Sequence, residues 1–198
     1  MEEDPLDGEV SAGVDALPGG AAVAPLLARM RDVQDRLRAA RPSAEVAQLA
    51  KRHLDDVAAL LQTCQVPEGQ EVAMHRPDLP GLGNTMLPEF NFARTGDLST
   101  GGEVRFPDAF RGRAAVHGGA ISLLFDEALG RLVVREMTSA RTAYLHVDYR
   151  RLTPLETTLR VDAKIDRREG RKVYVSGMLT LRDTVLAEAE GLWIVTDA

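Results

Sequence analysis

The chain has a single cysteine, Cys64, so no disulfide can form within it and a cysteine-rich metal site is out of reach. That scarcity points to a reducing, cytoplasmic compartment. No apolar run reaches the ~18 residues needed to cross a bilayer, so no membrane partner is expected. The start, Met1-Glu2-Glu3-Asp4, is acidic and lacks the basic residues that open a secretory signal. Positive charge is short as well. A formal net charge of -6 argues against a nucleic-acid partner for the chain as a whole. Proline is missing between Pro107 and Pro154, which leaves room for one long uninterrupted helix. At 198 residues the chain can hold one domain with a substantial core and an extension.

That helix is where the sequence says most. Residues 116–131 open with His117-Gly118-Gly119 and continue as an almost unbroken apolar run. The pattern predicts a helix beginning at the glycines and wrapped by the rest of the chain. Two acids, Asp126 and Glu127, lie in its middle. Glu127 has Arg131 four residues on, the spacing of an ion pair on a helix surface. Asp126 has no cation at that spacing. Its neighbours on the face are Gly119, Ser122 and Gly130, small residues that could leave a groove open. A buried carboxylate without a partner is costly, so Asp126 calls for a function or a strand partner.

The glycines supply a complement to it. The first N–H groups of a helix lack intrahelical partners, and that end carries partial positive charge. Gly118 and Gly119 let a substrate approach that backbone closely, so their amides could hold an oxygen that becomes negative during a reaction. Asp126 lies seven residues past Gly119, on the same face but ~10 Å further along. One reacting carbon has to sit about 3 Å from both groups. A single helix cannot offer that, whereas two antiparallel copies across a two-fold axis can. The expectation is a homodimer with a shared site, a tetramer being left open.

Before this helix, residues 1–20 read as a disordered tail. Residues 25–40 read as a helix with Leu26, Leu27, Met30, Val33 and Leu37 at helical spacing. Pro42 ends it, and Ser43 is the candidate N-cap of a second helix to about residue 65. Together residues 21–66 form a helical hairpin by this reading, with His53 packed beside its apolar stripe and the arginines on a solvated face. Residues 67–83, rich in proline and glycine, read as a linker or covering loop with His75 at the surface. Phe90 and Phe92 alternate as in a strand. Turn chemistry follows over 95–102, and 102–106 reads as a returning strand.

Four segments of period-two alternation follow the helix. In 142–152, Ala143, Leu145, Val147 and Tyr149 point toward the helix, while Thr142, Tyr144, His146, Asp148 and Arg150 point away. A wholly polar face suggests a wet surface, a channel or an interface. Asp148 could equally be the cross-strand partner of an arginine. Residues 158–166 make the next strand, then a basic loop over 167–171. The last two strands cover 172–181 and 184–195. Arg167, Arg168, Arg171 and Lys172 are the most concentrated basic patch in the chain.

His117-Gly118-Gly119, with Asp126 seven residues after the second glycine, resembles the signature of PaaI-type thioesterases in the 4-hydroxybenzoyl-CoA thioesterase superfamily. The resemblance covers residues 84–198. It implies an α+β hotdog fold, a curved antiparallel sheet around the central helix, here with an N-terminal helical extension. It implies hydrolysis of an acyl-CoA thioester, with coenzyme A part of the substrate and no cofactor or metal. It also implies that a hydroxyl at Thr142 supports the catalytic acid. Asp148, Arg150, Arg171 and Lys172 fall where the family contacts coenzyme A, although a carboxylate at Asp148 is unfavourable opposite phosphates. Asp126 acts by this reading as general base or nucleophile, and His117 shapes the loop rather than transferring protons. Two rivals stand beside this. One is a non-catalytic acyl-CoA sensor. The other is a hydratase, which the half-turn phase difference between His117 and Asp126 disfavours.

Overall fold

The computed structural model describes residues 19–196, so all of the expected tail except Gly19 and Gly20 lies outside the described residues. The chain divides into two compact units, Met1–Thr85 and Met86–Ala198.

Among the described residues the first unit holds two α-helices, α1 (Val23–Ala39) and α2 (Ala44–Gln62). Ser43 caps α2, its side-chain oxygen accepting from Val46 N–H at 3.3 Å. Both expected helices are present, and neither contains a buried residue within one chain. The apolar stripe of α2, with Val46, Leu49, Leu54, Leu60 and Leu61, lies exposed, and His53 is exposed beside it. The segment after α2 is more structured than a linker. Arg76 is fully buried there, and its guanidinium donates to both oxygens of Asp78 at 2.7 Å and to Gly20 O at 2.8 Å. Arg31 of α1 donates to Asn84 O at 2.9 Å and Pro80 O at 3.2 Å, so it is more than a solvated charge.

The second unit is α+β. Its strands are β1 (Glu89–Gly96), β2 (Ser99–Arg105), β3 (Ala140–Tyr149), β4 (Leu159–Glu169), β5 (Lys172–Leu181) and β6 (Thr184–Val195). They form one antiparallel sheet in the order β1-β2-β4-β5-β6-β3. The long helix α3 (Gly118–Met137) packs against strands from β2 to β6. Ala120, Ile121, Leu124, Phe125, Ala128, Leu129, Leu132 and Val133 are its buried residues, recurring about every fourth position so that one stripe faces the sheet. Each large side chain there contributes roughly 1.5–3 kcal/mol by leaving water. The wrapping is one-sided: Leu123 and Val134 are exposed.

The strands differ from the sequence expectation at two hairpins. The turn expected over 95–102 is only Asp97-Leu98, with strand on either side. Gly102 is a strand residue because β1 passes so close that a Cβ there would lie 1.7 Å from Asn91 O. Likewise β4 continues to Glu169, and the basic loop shrinks to a tight turn around Gly170 at φ 60°. A register shift between Ile165 and Arg167 absorbs one residue on the way.

Candidate active site

Two groups of side chains join α3 to the edge strand β3, one near each end of the strand. At the start of β3, Thr142 Oγ1 donates to Asp126 Oδ1 at 3.0 Å. At its end, Tyr149 Oη donates to Gly118 O at 3.0 Å and lies 2.7 Å from Ser122 Oγ. With a single alternation along β3 both could not face the helix, because 142 and 149 have opposite parity. The ladder shows how they do. Thr142 pairs with Trp193 and Tyr144 with Leu192, leaving Ala143 as a bulge. The extra residue resets the phase. Before it the even position turns to the helix, and after it the odd ones do. Thr142 therefore leaves the polar face to which simple alternation assigns it.

Asp126 is half-buried, and its carboxylate is held by Thr142. The neighbouring Glu127 makes the expected ion pair with Arg131, at 3.1 Å. Two of the small residues of this helix face, Gly130 and Ser122, are covered by side chains from the sheet. Gly130 lies beneath Trp193, where a Cβ would be 3.3 Å from the indole nitrogen. Trp193 is 2% exposed, and Gly191 opens the space on its other side. Ser122 is taken by Tyr149, and Gly119 faces the ring of His117.

The N-terminus of α3 is open. His117 is its N-cap residue, and Nδ1 accepts from Gly119 N–H at 3.0 Å. Accepting there requires Nδ1 to be unprotonated. The two glycine amides therefore differ: Gly119 N–H is engaged by the imidazole, and Gly118 N–H has no acceptor among the described residues. The preceding loop folds back on this end, with His117 N–H bonded to Phe110 O and Val116 N–H to Thr153 O. Beside it lies a cavity of about 340 Å³ lined by Phe110, Arg111, His117, Gly119, Ala120 and Leu123. Its walls combine the apolar Phe110, Ala120 and Leu123 with the polar Arg111 and His117, and Asp126 does not line it.

Asp148 and Arg150 lie elsewhere, on the outer face of the sheet. There Arg150 donates to Asp148 at 2.9 Å and to Glu188 of β6 at 2.7 Å, while His146 Nε2 stands 3.5 Å from Asp148. The arginine paired with Asp148 is thus its own strand neighbour rather than a residue across the ladder. A groove of about 680 Å³ crosses this face, lined by these residues together with Asp162, Lys164 and Glu190. The helix-facing residues lie on the opposite side of the sheet. At the other end of the ladder, Arg141, Ile194 and Lys172 share one row, next to the row of Thr142, Trp193 and Val173. Arg171 adjoins it and donates to Val195 O at 2.9 Å. Sequence reasoning overlooked Arg141, whose place follows only from the β3–β6 register. Arg167, over the Tyr174 ring at 3.5 Å and bonded to Glu169, completes the basic hairpin.

Residues 114–188 match the family model described as Thioesterase superfamily. Acyl-coenzyme A thioesterase THEM4 of Mus musculus is 36% identical over 84 residues, which are 41% of this chain and 36% of that protein. THEM4 of Xenopus laevis is 34% identical over 37% of this chain and 33% of its own. The chain thus spans about a third of the length of the curated relatives it matches. A crystal structure of a thioesterase superfamily protein is 29% identical, with a TM-score of 0.74 over 91% of this chain and 94% of that one. A hypothetical thioesterase from Streptococcus pneumoniae TIGR4, solved with coenzyme A, shares the fold at 14% identity and a TM-score of 0.52, over 55% of this chain and 89% of its own. With a helix against an antiparallel sheet, the second unit has the hotdog fold, and residues 114–188 at its centre are similar to the thioesterase superfamily.

Proposed function

We propose that the protein hydrolyses acyl-CoA thioesters, in a site built from two copies of the chain. The observation that carries this reading is the separation of its two halves along α3. Gly118 and Asp126 are eight residues apart on one helix, about 12 Å at 1.5 Å per residue. One thioester carbon cannot touch both within a chain. A second copy, antiparallel across the free edge of β3, brings the open N-terminus of one α3 toward Asp126 of the other.

In this reading the thioester oxygen rests on the Gly118 N–H and displaces Nδ1 of His117 from the Gly119 N–H. Asp126 of the other copy, oriented by Thr142, takes a proton from water as that water adds to the carbonyl carbon. Negative charge gathers on the oxygen at the helix N-terminus. The intermediate then expels coenzyme A as thiolate, which recovers the proton from Asp126. Direct attack by Asp126, followed by hydrolysis of the anhydride, is the nucleophilic version of the same geometry. The chemistry draws on water, a base and an oxyanion site, and on no cofactor. The apolar side of the cavity, at Phe110, Ala120 and Leu123, suits the acyl group. Arg141, Arg171 and Lys172 suit the phosphates of coenzyme A, because Arg150 already faces two carboxylates.

The test begins with a turnover screen over short, medium, long and aromatic acyl-CoAs. Asp126→Asn is expected to lower kcat by at least a hundredfold while leaving coenzyme A affinity within about threefold. Mixed with Gly119→Pro, also inactive alone, it should regain activity, because one hybrid site contains both intact halves. Binding without turnover in the wild-type protein would sink the hydrolase reading and leave an acyl-CoA sensor. No recovery on mixing would sink the shared site.

A further inference from the structure

A line of hydrogen bonds runs through the first peptide of α3. Tyr149 Oη donates to Gly118 O at 3.0 Å. With its proton committed there, Tyr149 Oη can only accept from Ser122 Oγ, 2.7 Å away. On the far side of the same peptide, Gly119 N–H donates to His117 Nδ1 at 3.0 Å. The sequence is therefore Ser122 hydroxyl, Tyr149 hydroxyl, the Gly118–Gly119 amide and the His117 imidazole, all donating in one direction. Bonds aligned in this way polarise one another. A donor on the carbonyl oxygen draws electron density from the amide and makes its N–H a stronger donor.

The placement of the tyrosine is specific. Its ring lies flat enough on the helix end that a Cβ on Gly118 would be 3.4 Å from Cζ and 3.5 Å from Oη. The phenol therefore stands against the helix end at ordinary contact distance from the peptide whose carbonyl it binds. After the bulge at Ala143 the odd positions of β3 face the helix, Tyr149 among them. Tyr149 is also half exposed, at 52%, so its packing alone does not account for a side chain aimed at a backbone carbonyl.

We propose that Tyr149 is a positioning residue for thioester hydrolysis, holding and polarising the Gly118–Gly119 peptide so that Gly119 N–H binds the oxyanion more tightly than the ground-state carbonyl. This rests on the hydrolase reading above. Ser122 supports it by fixing the direction of the phenol. The effect grows with charge on the substrate oxygen, so it acts on kcat and leaves KM alone.

Tyr149→Phe keeps the ring and removes only the hydroxyl. With the acyl-CoA turned over fastest in the screen, kcat is expected to fall about tenfold, less than for loss of a whole oxyanion donor, with KM within about twofold. Ser122→Ala is expected to lower kcat in the same direction by less. A second readout separates polarisation from simple support. In Asp126→Asn protein loaded with the same acyl-CoA labelled with ¹³C at the carbonyl, difference infrared spectra report the pull on the thioester oxygen. Adding Tyr149→Phe should move that stretch back toward its frequency in water. A rise in KM at constant kcat, or a lowered kcat with an unmoved stretch, overturns the proposal. If Asp126→Asn is inactive while Tyr149→Phe matches the wild type in both readouts, the tyrosine proposal fails and the hydrolase reading stands. If Asp126→Asn retains full activity, the reading beneath it fails first.

Discussion

Replacing Gly191 by alanine tests the packing that supports the candidate acid. A Cβ at this position would stand 2.4 Å from Cζ3 and 3.0 Å from Cη2 of Trp193, and 3.0 Å from Tyr144 O. The indole cannot retreat freely. It is 2% exposed, and α3 passes close to it at Gly130, where an added Cβ would come within 3.3 Å of Nε1. Pushing it moves either the helix one turn beyond Asp126 or the strand row that contains Thr142. Overpacking of this kind costs about 1–3 kcal/mol. For a chain of this size that is a fall in Tm of roughly 2–12 °C, at about 2–4 °C per kcal/mol. Trp193 is the only tryptophan, so its emission reports the displacement directly in the same melt. Because the clash involves the six-membered ring of the indole, Gly191→Ala should cost less when Trp193 is already phenylalanine, with a coupling of about 0.5–3 kcal/mol. Unchanged Tm and unchanged emission in the single variant would refute the argument, as would full additivity in the double.

Three further outcomes follow from the geometry. Thr142→Val removes the donor to Asp126 from an exposed position, so kcat should fall roughly tenfold, about the worth of one hydrogen bond to a charged group, with Tm nearly unchanged. Asp78→Ala takes the carboxylate from two donors of buried Arg76 and should cost about 1–3 kcal/mol by thermal melting. The bonds from Arg76 hold the Asp78 carboxyl below its ordinary pKa, so its contribution is complete above the usual carboxylate range and is lost as pH falls through the lowered value. The melts of Asp78→Ala and wild-type protein should accordingly converge in acid and differ most near neutrality.

Where the sequence was legible, the signal was periodic or local. The apolar run after His117-Gly118-Gly119 marks α3, the alternating segments after it mark β3 to β6, and Ser43 marks the start of α2. The missed features depend on one residue of phase or on contacts across space. An inserted residue at Ala143 changes no composition and leaves the alternation on either side intact, yet it decides which face Thr142 occupies. Histidine is outside the usual N-capping set, so the imidazole on Gly119 N–H has no sequence signature. Gly101 looks like a turn residue until β1 is placed beside it. The burial of Arg76 went unread in a segment rich in proline and glycine, although Asp78 two positions on was the available clue.

The outermost strand next to β6 has a further consequence. One flank of β3 has a ladder partner, and the opposite flank presents a ten-residue ribbon of backbone donors and acceptors to whatever comes alongside. Such a ribbon is sticky toward any extended chain. Wherever that flank is left uncovered, it is the place from which insoluble deposits start. Recovery after refolding should fall as the concentration of the chain rises.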